Sequence, residues 1–152
     1  MQKKACLIYV EATIELRAEV LERLAEQNYI VCEVQADVAD ARRAKAGESG
    51  LPQELEECIV SSELCIFLIP ENPENDGAIG AGAVLCGRLS KKIIGIVVGA
   101  RSTYPVAFED EAFSMLRSKS ANLASVMGGA EIWEQPNGLP VSERKIKNIK
   151  CQ

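Results

Sequence analysis

The sequence contains no histidine, and only 5% of its 152 residues are aromatic. Histidine is the commonest general base near neutral pH and a frequent zinc ligand. Its absence excludes Ser-His and Cys-His nucleophile systems, and it leaves carboxylates, tyrosine, lysine and backbone donors as candidate catalytic groups. We therefore predict no metal site, and no motif in the chain indicates a cofactor.

Long apolar runs are also missing. No segment approaches the roughly 18 apolar residues of a membrane-spanning helix, and no signal-peptide pattern opens the chain. The short apolar run at 5–10 is more typical of a first strand. These features predict a cytoplasmic protein that makes no contact with a membrane.

Basic residues do not dominate the composition. The formal net charge is −5, whereas nucleic-acid affinity comes mainly from lysine and arginine neutralising phosphates. We therefore expect no nucleic-acid partner. A basic cluster, RKIKNIK, occurs at 144–150, and a solvated terminal tail is the simplest interpretation of it.

The six cysteines include no CxxC pair. Five of them lie within apolar segments, where cysteine behaves as a small hydrophobic residue. We expect these cysteines to be reduced, in agreement with a cytoplasmic location.

Apolar runs alternate with amphipathic segments along most of the chain. The pattern predicts strands at 5–10, 29–34, 64–69, 93–98 and 130–133. It predicts helices at 13–27, from Pro52 onward, at 79–89 and at 113–126. Continuous apolar strands alternating with helices indicate an α/β fold, a flavodoxin-like (Rossmann-like) three-layer sandwich with a mainly parallel five-stranded sheet. We assign 1–135 to a single domain and 136–152 to a C-terminal extension.

Polar or glycine-bearing segments follow the first three strands. Ligands of open α/β sheets bind beyond the carboxyl ends of the strands, where the strand order reverses. The segments expected there are 9–13, the region of Asp37, and 71–82. We predict that this cleft is lined by Tyr9, Glu11, Asp76, Gly77, Gly80 and Gly82, with Arg101 reaching it after the fourth strand.

Glu11 and Asp76 are the candidate catalytic carboxylates, and Arg101 is suited to a phosphate because of its forked donors. Gly80 and Gly82 do not form a GxGxxG motif, and no GK[ST] follows them, so a P-loop is excluded. Close packing of a helix on the sheet explains these glycines as well as ligand contact does.

Residues 5–98 resemble the nucleoside 2-deoxyribosyltransferase-like superfamily in the order of their motifs. IYVEA (8–12) is similar to that family's opening I-Y-L-A-G-P, whose tyrosine lies at the active site. DGAI (76–79) stands where its D-S-G-T-A motif begins, and SKKIIG (90–95) stands at its G-K-P-V-I-G strand. The resemblance implies a nucleotide- or nucleoside-like ligand and a homo-oligomer.

The chain departs from that family at one position. In the family, a glutamate in the small-residue helix attacks the anomeric carbon and forms a covalent glycosyl intermediate. The corresponding position here is Gly82, and no carboxylate occurs between Asp76 and Glu109. The resemblance therefore implies the family's fold and ligand class without its usual nucleophile.

Residues 47–69 also resemble the middle of a TIR domain, with a helix of the form L-x-x-A-I-x-x-S followed by a strand. Some TIR domains cleave NAD with a glutamate in the helix that follows, and that glutamate is absent here as well. This second resemblance implies the same flavodoxin-like layout and a self-associating domain. The candidate contact residues for self-association are Trp133 and the loop at 103–108. Packing at the edge of the last strand also explains these residues.

Three functions stay open at this point. The domain binds a nucleoside- or nucleotide-type ligand without turnover, or it cleaves the N-glycoside of a nucleoside, a nucleotide or NAD with a relocated carboxylate, or it is a TIR-type self-associating interaction module. We favour the binding domain because it accommodates both the missing nucleophile and the missing histidine.

Overall fold

The computed structural model describes residues 3–11, 14–36, 53–99, 103–117 and 120–134. Asp37, Arg101 and the predicted extension at 136–152 lie outside these ranges. So do Thr13, where the first helix is predicted to begin, and Pro52. The strands are β1 (Lys3–Tyr9), β2 (Tyr29–Gln35), β3 (Leu64–Ile69), β4 (Lys92–Val97) and β5 (Ser114–Leu116). The helices are α1 (Ile14–Glu26), α2 (Gln53–Ser61), α3 (Gly77–Arg88), α4 (Val106–Glu111) and α5 (Leu123–Met127).

The described strands form one parallel sheet in the order β2-β1-β3-β4-β5. Every side chain of β3 is buried, which is what a central strand covered on both faces requires. The prediction of an α/β fold with a five-stranded parallel sheet is confirmed, and the layout is that of a flavodoxin-like three-layer sandwich.

Each face of the sheet carries its own apolar cluster. On one face, Val20 and Leu24 of α1 pack with Val126 of α5 over alternate residues of β1, β3 and β4. On the other face, α2, α3 and α4 cover the remaining alternate residues, with Phe67 and Phe108 at the centre. The helical spacing of Val20 and Leu24 is the reason that α1 buries one stripe and exposes the rest.

The prediction for residues 113–126 is wrong. Instead of one helix, this segment contains the short strand β5 and then the separate helix α5. Gly95 of β4 makes room for β5, because a Cβ added there would lie 2.6 Å from the Met115 sulfur. The strand predicted at 130–133 is reduced to a single bridge between Trp133 and Met115 at the edge of the sheet.

The prediction that the cysteines are reduced is wrong for one pair. Cys6 of β1 and Cys58 of α2 form a disulfide, with their Cα atoms 5.7 Å apart. That separation lies within the normal range for a disulfide bond. Cys32, Cys65 and Cys86 remain thiols, and the last two are fully buried.

Within the described ranges, no helix is both long enough and apolar enough to cross a membrane. The same residues contain no group of three side chains placed to hold a metal ion.

Candidate functional site

The strand order reverses between β1 and β3. The chain leaves β1 for α1 on one face of the sheet, and it leaves β3 for α3 on the opposite face. Loops that diverge in this way open a crevice at the carboxyl edge of the sheet. The crevice lies between two segments, the β1 loop (Val10 and Glu11) and the β3 loop (residues 70–76).

The two loops touch across the crevice. The backbone N–H of Glu71 donates to Oε1 of Glu11 over 3.4 Å. Glu71 also reaches the end of β4, since a Cβ added to Gly99 would lie 2.7 Å from its Oε2. The ends of β1, β3 and β4 are therefore brought together by two glutamates.

The β3 loop is a compact turn that fixes the start of α3. Oδ1 of Asn72 accepts from the Glu74 N–H at 2.9 Å, and Pro73 begins a short 3₁₀ turn. The Asp76 N–H donates to the Pro73 carbonyl at 3.2 Å. Asp76 then precedes α3, and its carbonyl accepts from the Gly80 N–H at 2.7 Å. This local bonding holds the loop in place without help from a ligand.

The two loops that border the crevice are acidic. The two loops carry four carboxylates (Glu11, Glu71, Glu74 and Asp76) and no lysine or arginine. Glu11, Glu71 and Glu74 are exposed, and Asp76 is half-buried. Carboxylates accept hydrogen bonds and attract positive charge, so these two loops suit ligands with hydroxyl or amino donors and disfavour phosphates.

Tyr9 ends β1 beside the crevice, but its ring lies in the layer beneath α1. The Arg17 guanidinium sits 5.5 Å from the ring centre, and it forms a two-pronged ion pair with Glu33 at 2.6 and 2.9 Å. Burial raises the pKa of Tyr9, and the neighbouring Glu33 carboxylate raises it further. The structure thus places Tyr9 in the core as a neutral phenol.

The three predicted glycines of α3 have different surroundings. Gly77 is half-buried at the first position of the helix. A Cβ added to Gly80 would meet nothing within 4 Å, whereas one added to Gly82 would lie 2.9 Å from Cε1 of Phe67. Gly82 therefore faces β3, and the packing interpretation applies to it. A glutamate there would begin inside the core rather than in the crevice.

Substitution by alanine should have opposite effects on stability at Gly80 and at Gly82. Gly80→Ala is expected to raise the free energy of unfolding by about 0.5–1 kcal/mol, because alanine is the better helix former and the site has room. Gly82→Ala is expected to lower it by about 1–3 kcal/mol, because the methyl group would collide with a fixed aromatic ring. Urea unfolding of both variants checks the opposite signs. A stabilising Gly82→Ala would contradict the packing interpretation.

Sequence reasoning missed a second polar cluster, near the end of β5. Glu134 is 6% exposed, and its carboxylate accepts from the Arg117 N–H, the Ser120 hydroxyl and the Asn122 amide at 2.6–2.9 Å. The Tyr104 hydroxyl donates to the Glu134 carbonyl, and burial raises the pKa of Tyr104 well above its ordinary value. Glu134 stands in the polar stretch WEQP, which gives no signal of burial.

Two surface hollows lie away from the crevice. One, of about 300 Å³, borders Lys92, Phe113 and Glu131 at the amino edge of β4 and β5. The other, of about 420 Å³, runs along α2 beside Glu57 and Val60. Among known proteins, the chain matches no family model, no curated protein and no solved structure.

Proposed function

We propose that the protein binds a nucleoside-type ligand in the crevice between the β1 loop and the β3 loop. One observation carries the proposal. At the switch point of the sheet, the Glu71 N–H donates a hydrogen bond to the Glu11 carboxylate, so two exposed glutamates line the crevice. Switch points are where open α/β sheets bind their ligands.

The charge of the crevice favours the nucleoside over its phosphates. Carboxylates accept hydrogen bonds from hydroxyl groups such as those of ribose, and Glu11 and Glu71 are exposed carboxylates at the carboxyl edge of the sheet. A phosphate would meet four carboxylates with no basic residue in either loop. The motif order shared with nucleoside 2-deoxyribosyltransferase-like proteins supports the same ligand class.

Binding without turnover fits the position of Gly82. The nucleophile that the resemblance would require falls where the helix packs on Phe67, and no carboxylate occurs elsewhere in α3. Glu11 and Asp76 are the carboxylates that would serve in its place if the protein cleaved an N-glycoside.

The proposal is tested by calorimetry and thermal unfolding with adenosine, inosine, thymidine, AMP and NAD. We expect adenosine to stabilise the protein more than AMP does. Glu11→Gln should weaken nucleoside binding roughly tenfold or more, since a hydrogen bond to a charged acceptor is worth about 1.5–3 kcal/mol. Glu63→Gln is the matched control, because Glu63 is exposed just before β3, at the opposite edge of the sheet.

The other outcomes each identify an alternative. Free base, detected by chromatography and lost in Glu11→Gln or Asp76→Asn, would replace the binding function with N-glycoside cleavage. Absence of both binding and cleavage would overturn the nucleoside proposal. Concentration-dependent association in sedimentation would then favour the TIR-type interaction module.

A further inference from the structure

Five cysteines gather in one layer of the fold. Cys6 pairs in register with Cys32 of β2 on one side and with Cys65 of β3 on the other. Residues in register on neighbouring parallel strands project from the same face, with the strands about 4.8 Å apart. The three cysteines therefore form a row across the sheet, beneath α2 and α3.

Two helical cysteines face this row. Cys58 of α2 is bonded to Cys6, and its sulfur lies 3.0 Å from the Cys32 carbonyl oxygen. Cys86 of α3 is hydrogen-bonded to Cys65. That hydrogen bond, together with burial, raises the pKa of Cys86 far above its usual range, so Cys86 stays a protonated thiol.

Solvent reaches the cluster at one described member only. Cys6, Cys58, Cys65 and Cys86 are at most 1% exposed. Cys32 is partly exposed, because β2 is the edge strand of the sheet. A small reagent from solution therefore meets Cys32 before it meets either sulfur of the disulfide, although burial raises the pKa of the Cys32 thiol and so lowers its thiolate fraction.

We propose that Cys32 is a thiol–disulfide exchange site through which a low-molecular-weight disulfide oxidises the Cys6–Cys58 pair and the corresponding thiol reduces it. This inference is independent of the proposed ligand site. In reducing compartments, protein disulfides are typically transient and redox-sensing, which is the behaviour that a buried bond beside a partly exposed cysteine allows.

The oxidation consists of three exchanges. The Cys32 thiolate attacks the small disulfide RSSR, which forms a mixed disulfide on Cys32 and releases one RS⁻. The Cys58 thiolate then attacks the Cys32 sulfur, which forms a Cys32–Cys58 disulfide and releases the second RS⁻. Finally the Cys6 thiolate attacks the Cys58 sulfur, which forms the Cys6–Cys58 bond and restores the Cys32 thiolate. In sum, two protein thiols and RSSR give one protein disulfide and two RSH.

Glutathione provides the probe. The protein, with Cys151→Ser introduced to remove a competing thiol, is equilibrated at a series of reduced-to-oxidised glutathione ratios. Free thiols are then blocked, and the disulfide is located by peptide mass mapping. We expect the Cys6–Cys58 linkage to form and break reversibly. Cys32→Ala should slow its formation at least tenfold and leave the equilibrium ratio within about twofold, because the exchange then requires local opening of buried sulfurs.

Two further variants complete the experiment. Ile30→Ala removes an exposed apolar side chain from the same edge strand without touching a thiol, and it should leave the rate unchanged. Cys58→Ala removes the resolving thiol, so a glutathione mixed disulfide should accumulate on Cys32. This second readout decides the question even if Cys32→Ala folds poorly.

Three results would overturn the proposal. The first is that the Cys6–Cys58 disulfide forms at no glutathione ratio, or that a Cys65–Cys86 disulfide forms in its place. The second is an unchanged rate in Cys32→Ala. The third is a Cys58→Ala protein that carries no glutathione on Cys32.

Discussion

Phe67→Ala is expected to lower the free energy of unfolding by about 3–5 kcal/mol, the loss typical of a large aromatic deleted from a core. Phe67 is fully buried in the central strand β3. Its ring packs edge-on against Phe108 of α4, with the ring centres 5.3 Å apart, and against the Gly82 backbone of α3. The substitution would leave a cavity where two helices meet the sheet, and neither helix can close it without moving from the other.

Phe113→Ala is the matched control, because it makes the same chemical change at the margin of the sheet. Phe113 is half-buried, and the Lys92 ammonium lies over its ring at 4.3 Å. In urea unfolding, we expect Phe113→Ala to lower the free energy of unfolding by less than half as much as Phe67→Ala does. Equal losses for the two variants would mean that Phe67 does not hold α3 and α4 on the sheet.

The same central strand explains why the fold was predictable. Residues 64–69 and 93–98 are continuous apolar runs in the sequence, and a strand buried on both faces requires such a run. Their alternation with amphipathic segments then allows few arrangements, because crossovers between parallel strands are right-handed and short. Four of the five strands and the helices α1 to α3 follow from these patterns.

β5 was not predictable in the same way. Its three residues, Ser-Met-Leu, are too few to show a period, and they lie within a longer stretch of helical spacing. What makes them a strand is tertiary: pairing with β4, the space above Gly95, and a buried Ser114 that bonds the Ile132 N–H and the Ala130 carbonyl. The intrinsic secondary-structure propensity of these three residues does not depend on such tertiary partners, so it could not predict the strand.

For the candidate site, the sequence predicted the loops but not the directions of the side chains. Chain order alone places Glu11 and the β3 loop at one switch point, and the structure brings them into contact. Whether a glycine in α3 faces a loop or the sheet depends on the helix's rotation, which a run of small residues leaves undetermined. Gly82 consequently belongs to the core contact with Phe67.

The disulfide illustrates the same limit. Cys6 and Cys58 are 52 residues apart. Each lies in an apolar segment, and such a segment accommodates a reduced cysteine as well as a disulfide-bonded one. Their proximity follows from how α2 lies over β1, which depends on the whole of that helical layer. Spacing in the sequence therefore could not identify the pair.

Glu134→Ala should also be strongly destabilising, by about 2–4 kcal/mol, although the side chain removed is polar. The buried carboxylate satisfies three donors at once: the Arg117 N–H at 2.9 Å, the Ser120 hydroxyl at 2.7 Å and the Asn122 amide at 2.6 Å. Removing the acceptor leaves these buried or half-buried donors without it, and an unsatisfied buried donor costs about 1–3 kcal/mol. Urea unfolding followed by the fluorescence of the adjacent Trp133 measures the loss.

Two further variants test whether the loss of stability in Glu134→Ala comes from this hydrogen-bond network rather than from the removal of a negative charge. Glu109→Ala removes an exposed carboxylate from α4 and should change stability by no more than about 0.5 kcal/mol. Asn122→Ala in the Glu134→Ala background should cost less than it does in the unmodified protein, because its acceptor is already gone. Additive losses would mean that the contacts do not act together. Non-additive losses would identify Glu134 as the residue that ties the segment after β5 to the carboxyl edge of the sheet.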